Sequence, residues 1–403
     1  MKKIVNVFAI SFIILMFAST NVRAEEEKPK IESKGFIVMD ESSGRVLYEK
    51  NSDERMYPAS LTKVATAIYA IETGNLEDIV TVSERARNAD GTRVYLEEGE
   101  KVPLKKLIQG LLINSGNDAG VAIAEHTSGS VEEFANRLNV YLKGIGLQNT
   151  HFKNPHGLFD PDHVTTAKDL AKITQYAMKN EEFRAIFGTK ELKWEGQTWN
   201  TTLFTHHKLM REKPYDGVTG GKTGYVDESG NTLITTATRE DLSVIAVVLQ
   251  APSQLTAYSD TVALLDYAFK EFDLVDIPIG KEYKQNKHTY VTNQNYSFPI
   301  SHDEQISEKV TGDGNLEVTI HNQNEDFITI LPLENETKEV AQISPKEVVQ
   351  SPTQAAQSPL KEEEHPLSPL GLMIVSTLTL SGAIAIIIFR RKKRQSPRVP
   401  SDY

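Results

Sequence analysis

The chain has 403 residues, 39% hydrophobic and 25% charged, with a formal net charge of −11 and no cysteine. That composition excludes a disordered tail, a collagen-like repeat and a disulfide-stapled mini-protein. The lack of cysteine excludes disulfides, cysteine-bound zinc, iron–sulfur clusters and a thiol nucleophile.

The N-terminus reads Met1-Lys2-Lys3, an apolar run over 4–18, then Val22-Arg23-Ala24. A positive start, an apolar centre and small residues before the cut predict a secretory leader, residues 1–24. Residues 33–39 and 45–48 predict two strands around the Glu41-Ser42-Ser43-Gly44 turn. Helical patterns dominate 59–185. Residues 233–238 and 242–249 again read as strands, and a helix is expected over about 256–269. Strands at both ends of a region with a helical middle predict an α+β fold over 25–272. Its expected form is an antiparallel sheet with packed helices and a helical cluster beside it.

Alternation of Leu316, Val318 and Ile320, then Phe327, Ile328 and Ile330, predicts a small all-β domain over 273–333. Residues 334–369 are rich in Pro, Gln, Ser, Glu and Lys and read as a disordered stalk. Residues 370–389 carry no charge and have the length of a transmembrane helix. Five cations, Arg390 to Arg394, open a basic tail over 390–403. Positive residues stay cytoplasmic, so a single-pass cell-membrane protein is expected, with its bulk outside and its C-terminus inside. The exported part carries 35 basic and 54 acidic side chains, about −19, because three of the 44 basic residues lie in the leader, six in the tail, and one of the 55 acidic residues in the tail. Such a surface argues against nucleic acid and against electrostatic membrane binding.

Three short motifs carry possible chemistry. In Pro58-Ala59-Ser60-Leu61-Thr62-Lys63, Ser60 and Lys63 share one face of a first helical turn. Serine needs an adjacent base, and lysine serves as one only when burial and positive neighbours lower its pKa. By itself such a serine more often caps a helix. Ser115-Gly116-Asn117 lies between two apolar helices, where it reads either as a plain loop or as a second hydroxyl and an amide beside a substrate. Gly220-Gly221-Lys222-Thr223-Gly224 superficially looks like a phosphate loop, but Asp216 stands where that motif needs glycine. The alternative is an edge strand that pairs with an extended peptide, with Lys222 and Thr223 facing it. His206-His207 lacks a carboxylate at metal-ligand spacing and reads as two exposed histidines.

The conjunction is more specific than its parts. Ser-x-x-Lys, Ser-x-Asn and Lys-Thr-Gly occur in that order, 55 and then 107 residues apart. Together with Asn154-Pro155-His156-Gly157-Leu158 and Asp216 to Tyr225, they resemble the low-molecular-mass penicillin-binding proteins that act as D-alanyl-D-alanine carboxypeptidases, serine peptidase family S11. The resemblance covers about 33–333. It implies that Ser60 is the nucleophile, Lys63 its base and Ser115 a proton relay. It implies further that Asn117 holds Lys63 and a substrate carbonyl, and that Lys222, Thr223, Gly224 and Tyr225 bind substrate. The backbone N–H groups of Ser60 and Tyr225 would bind the oxyanion. Implied partners are peptidoglycan stem peptides ending in D-Ala-D-Ala and β-lactam antibiotics, with no metal or other cofactor. His156 is expected to be structural.

Two positions depart from the pattern: Val226 replaces a frequent threonine, and Ala257 stands where an arginine often helps bind the terminal carboxylate. A catalytically weak wall-binding protein and a β-lactamase are the alternatives. The second lacks a clear Glu-x-x-x-Asn between Asn117 and Lys222.

Overall fold

The structure, a computed structural model, describes residues 28–322 and 325–336. The expected leader, membrane helix and basic tail lie outside the described residues, as does the expected stalk beyond residue 336. No helix among the described residues is long and apolar enough to cross a membrane.

The chain opens with β1 (Gly35–Asp40) and β2 (Val46–Lys50). The helical middle holds α1 (Thr62–Thr73), β3 (Ile79–Thr81), α2 (Glu84–Arg87), β4 (Lys101–Pro103), α3 (Leu104–Ile113), α4 (Asn117–Ser128) and α5 (Val131–Gly144). It continues through α6 (Ala167–Met178), α7 (Glu181–Phe187), β5 (Glu191–Glu195) and β6 (Asn200–Phe204). Then come β7 (Val218–Val226), β8 (Gly230–Arg239), β9 (Leu242–Ala251) and α8 (Gln254–Glu271). Five of the helices start at side chains that satisfy their free N–H groups: Ser83, Ser130, Thr166, Asn180 and Ser253 each accept from the backbone three residues on.

A five-stranded antiparallel sheet, ordered β2-β1-β9-β8-β7, organises this region. Successive strand residues point to opposite faces. In β9, Ile245, Val247 and Leu249 therefore join an apolar core with the helical cluster, while Val244, Ala246 and Val248 join a second core with Leu264, Leu265 and Ala268 of α8. This is the mixed α/β architecture expected from the order of elements. Two small antiparallel strand pairs, β3–β4 around α2 and the β5–β6 hairpin, lie within the region. Strands of three to five residues show too little alternation to stand out against flanking helices.

From Phe272 the chain is all strand: β10 (Phe272–Ile277), β11 (Glu282–Gln285), β12 (His288–Thr292), β13 (Tyr296–Ser301), β14 (Gln305–Val310), β15 (Leu316–His321), β16 (Phe327–Leu331) and β17 (Leu333–Asn335). Three small antiparallel sheets enclose a separate apolar cluster of Ile277, Phe298, Leu316, Val318, Ile320 and Leu331. Arg45, at the start of β2's side of the first turn, is buried against this part. Its guanidinium donates to the Pro299 carbonyl and pairs with Glu304. It also lies over the rings of Phe272 and Phe327.

Candidate active site

Ala59–Leu61 form a tight 3-10 turn that runs straight into α1. Ala59 sits at φ 49°, a left-handed conformation that costs an L-residue energy. The turn is held from three sides. Thr62 Oγ1 donates to the Ala59 carbonyl at 2.9 Å. His163 Nδ1 accepts from the Lys153 N–H at 3.0 Å, so its proton is on Nε2, which reaches Thr62 Oγ1 at 2.8 Å. Burial holds His163 down to about 3, so it stays neutral. Gly157, at φ +88°, lies so close that an added Cβ would fall 1.8 Å from the Ala59 carbonyl oxygen. Thr232 Oγ1, from β8, donates to the Pro58 carbonyl at 3.1 Å.

Lys63 is fully buried. Its Nζ lies 2.8 Å from Ser60 Oγ and donates to the His156 carbonyl at 2.8 Å. Burial, and then the charge of Lys222, push the Lys63 ammonium well below the usual lysine range, with Asp118 opposing. A neutral Nζ with a free lone pair, in contact with a serine hydroxyl, is a competent proton acceptor. His156 is held neutral by burial, down to about 3, and its ring accepts from the Leu158 N–H. Its contribution to the site is its backbone carbonyl.

The opposite wall comes from the junction of α3 and α4. Ser115 is buried at φ 61°, a second strained residue. The start of α4 packs on the segment that holds Lys63: a Cβ at Gly120 would touch the His156 side chain and the Pro155 carbonyl. Asn117 departs from expectation. Its Nδ2 donates to the Asp90 carbonyl at 2.6 Å, and Lys63 Nζ bonds Ser60 and His156 instead. The reason is local: residues 90–96 close over this turn, with the Thr92 carbonyl accepting the Asn117 N–H at 2.7 Å. Asp118 fixes the same loop by accepting from the N–H groups of Val94 and Leu96.

The third wall is β7, which among the described residues is an edge strand paired only with β8. Lys222 is buried, donates to the Thr223 carbonyl at 2.8 Å, and is pushed down to about 7 by burial. An added Cβ at Gly224 would lie 2.9 Å from the Ser60 backbone nitrogen and 2.5 Å from Thr232 Oγ1. The strand therefore passes against the Ser60 turn as closely as backbone allows, and only glycine permits it. Thr223 is half-buried, while the Tyr225 side chain is 60% exposed with its hydroxyl on Asp227.

The pair His206-His207 is not exposed as a unit. His206 is, but His207 is buried, with Nε2 on Thr235 Oγ1 at 2.8 Å and its ring edge-on to Tyr258. It fills a slot above Gly221, where a Cβ would come 2.3 Å from its Cδ2. Ala257 is buried in the first turn of α8. Its neighbour Tyr258 accepts from the Lys208 N–H and donates to the His206 carbonyl. The supporting roles of Gly157, Thr232 and His163 were not read from the sequence. Gly157 had a signal in the Asn-Pro-His-Gly stretch; the other two are single residues brought in from distant strands and loops.

The family model for D-alanyl-D-alanine carboxypeptidase, peptidase family S11, matches residues 22–253. The carboxypeptidase DacF of Bacillus subtilis is 35% identical over 283 residues, 68% of this chain and 72% of the relative. DacC of Escherichia coli is 34% identical over 281 residues, 66% and 68% of the two chains. Among solved structures, penicillin-binding protein 5 from Haemophilus influenzae superposes with a TM-score of 0.66 at 26% identity, covering 76% of this chain and 98% of that one. Shared sequence and shared fold lead to one conclusion: the chain belongs to the S11 family of serine D-alanyl-D-alanine carboxypeptidases, the low-molecular-mass penicillin-binding proteins.

Proposed function

We propose that the protein removes the terminal D-alanine from peptidoglycan stem peptides through an acyl-enzyme on Ser60. The observation that carries this is the buried Lys63 Nζ at 2.8 Å from Ser60 Oγ, with its pKa pushed down by burial and by Lys222. Ser60 Oγ attacks the carbonyl between the last two D-alanines and its proton passes to Lys63. The negative oxygen that forms is held by the backbone N–H groups of Ser60 and Tyr225. Ser115 carries a proton to the leaving amine, which departs as D-alanine. Water then attacks the ester, Lys63 takes its proton, and the shortened peptide is freed. Lys222 and Thr223 attract the substrate carboxylate, and the edge of β7 pairs with the extended peptide. Asn117 acts by holding the 90–96 loop and by offering its amide to the substrate. A β-lactam enters the same site and stalls as the acyl-enzyme.

In the same reading the catalytic region ends near residue 272, and the strand-rich region to 333 is a spacer. Stalk, membrane helix and basic tail follow, so the site works outside the membrane. The test is D-alanine release by the full-length chain from a peptide ending in Lys-D-Ala-D-Ala, with Ser60→Ala beside it. Release by the wild type alone supports the reading. Equal release by both, or none from a folded wild type, overturns it and favours a binding-only role.

A further inference from the structure

Ala59 and Ser115 are not the only non-glycine residues with left-handed backbone near the cleft. Tyr95 has φ 56°. Asn and short polar residues adopt this conformation in turns, but for a bulky aromatic it is an outlier that the surroundings must enforce. The surroundings here are specific. The loop is bonded to the wall of the active site at both sides of Tyr95: the carbonyls of Asp90, Thr92 and Arg93 accept from Asn117 and Asn114, and the N–H groups of Val94 and Leu96 donate to Asp118. What this strain achieves is an aromatic ring held out in solvent. Tyr95 is 50% exposed, its ring 4.9 Å from that of Trp199 in an edge-to-face arrangement, with the Arg93 guanidinium 5.4 Å from its centroid. Trp199 is itself anchored, since it packs on the main core at the tip of the β5–β6 hairpin.

We propose that Tyr95 and Trp199 form a subsite for the sugar ring that carries the stem peptide. This rests on the reading of the cleft as a stem-peptide carboxypeptidase. Reach agrees with it. Four residues on the acyl side of the cleaved bond span roughly 13 Å when extended, and Tyr95 lies three residues, at most about 11 Å of chain, beyond the Thr92 carbonyl bonded to Asn117. The local charges suit a neutral sugar. Glu97, which accepts from Thr198 Oγ1 beside Trp199, is paired with Arg87, and Arg93 lies over the Tyr95 ring, so the charges nearest the platform are partnered and a neutral N-acetylated sugar meets no unpaired ion there. A sugar ring also offers a flat C–H face to stack on an exposed aromatic.

The experiment compares kcat/KM of the full-length chain on a free pentapeptide ending in D-Ala-D-Ala and on the same pentapeptide attached to its disaccharide. Tyr95→Gly removes the ring and suits the φ of this position, so the loop keeps its path. Tyr95→Phe keeps the ring. The wild type should favour the disaccharide form about tenfold, Tyr95→Gly and Trp199→Ala should abolish that ratio, and Tyr95→Phe should retain it. Equal wild-type values on the two substrates overturn the proposal. So does a variant that lowers both equally, which would make Tyr95 a support for Asn117, or one that lowers the free peptide alone, which would make the platform a peptide site. A wild type that releases D-alanine from neither substrate removes the underlying reading as well.

Discussion

Gly224→Ala is a small change with a large expected effect. The new Cβ would lie 2.9 Å from the Ser60 backbone nitrogen, 2.5 Å from Thr232 Oγ1 and 3.1 Å from the Ala59 Cβ. Ordinary contact for carbon starts near 3.5 Å, so β7 and the Ser60 turn must separate by about half an ångström. Oxyanion donors act only within a few tenths of an ångström of their ideal distance, and loss of one costs about 100- to 1000-fold in kcat. The fold should lose less, about 1–3 kcal/mol for overpacking. The assay is kcat for D-alanine release and the rate of acylation by a fluorescent penicillin, beside a thermal melt. Adding Thr232→Ala removes the Oγ1 clash and leaves the Ser60 contact, so it should not restore kcat. A folded Gly224→Ala variant within about threefold of the wild type would refute the argument that close approach of β7 to Ser60 builds the oxyanion site.

Acid should unfold the protein early. His156, His163 and His207 are buried and held near 3, below their ordinary 6.5. The unfolded chain binds protons that the folded one refuses, so stability falls as pH drops below about 6.5, by about 2 kcal/mol per histidine at pH 5. Denaturant midpoints at pH 8 and 5 check this, and a midpoint that does not move contradicts it. Lys222→Gln removes a positive neighbour of Lys63, so the Lys63 pKa should rise and the acid limb of kcat/KM should move to higher pH. An unmoved limb would mean that Lys222 does not tune the base. Arg45→Met leaves Glu304 buried without its cation and should cost about 3–5 kcal/mol, read as earlier proteolysis within the strand-rich region. Cleavage at the wild-type rate would show that the pair does not hold this region to the sheet.

The main divisions of the fold were legible because they rest on patterns of adequate length. The strand patterns at the two ends of the region, β1–β2 and β8–β9, and the helical stretches that separate these pairs made the sheet and its cover readable. Order and spacing of Ser60, Lys63, Ser115, Asn117 and Lys222 pointed to the cleft, since chance rarely arranges all three motifs. The partner of Asn117 was not legible. It depends on where the 90–96 loop crosses, and that path is set by Asp118 bonding two backbone N–H groups more than twenty residues away in sequence. Burial of His207 was hidden for a similar reason, because the slot it fills exists only where β7 carries glycine at 221. The short strand pairs β3–β4 and β5–β6 offer too few residues for a period to be read.

The central claim is that Ser60 is the nucleophile and Lys63, its pKa lowered by burial and by Lys222, is its base. The most direct test is mass spectrometry of the intact chain after brief exposure to benzylpenicillin, followed by peptide mapping. The account predicts one adduct per chain, on the peptide that contains Ser60, absent in Ser60→Ala and strongly slowed in Lys63→Ala. An adduct on another residue, or full-rate acylation without Lys63, would contradict it.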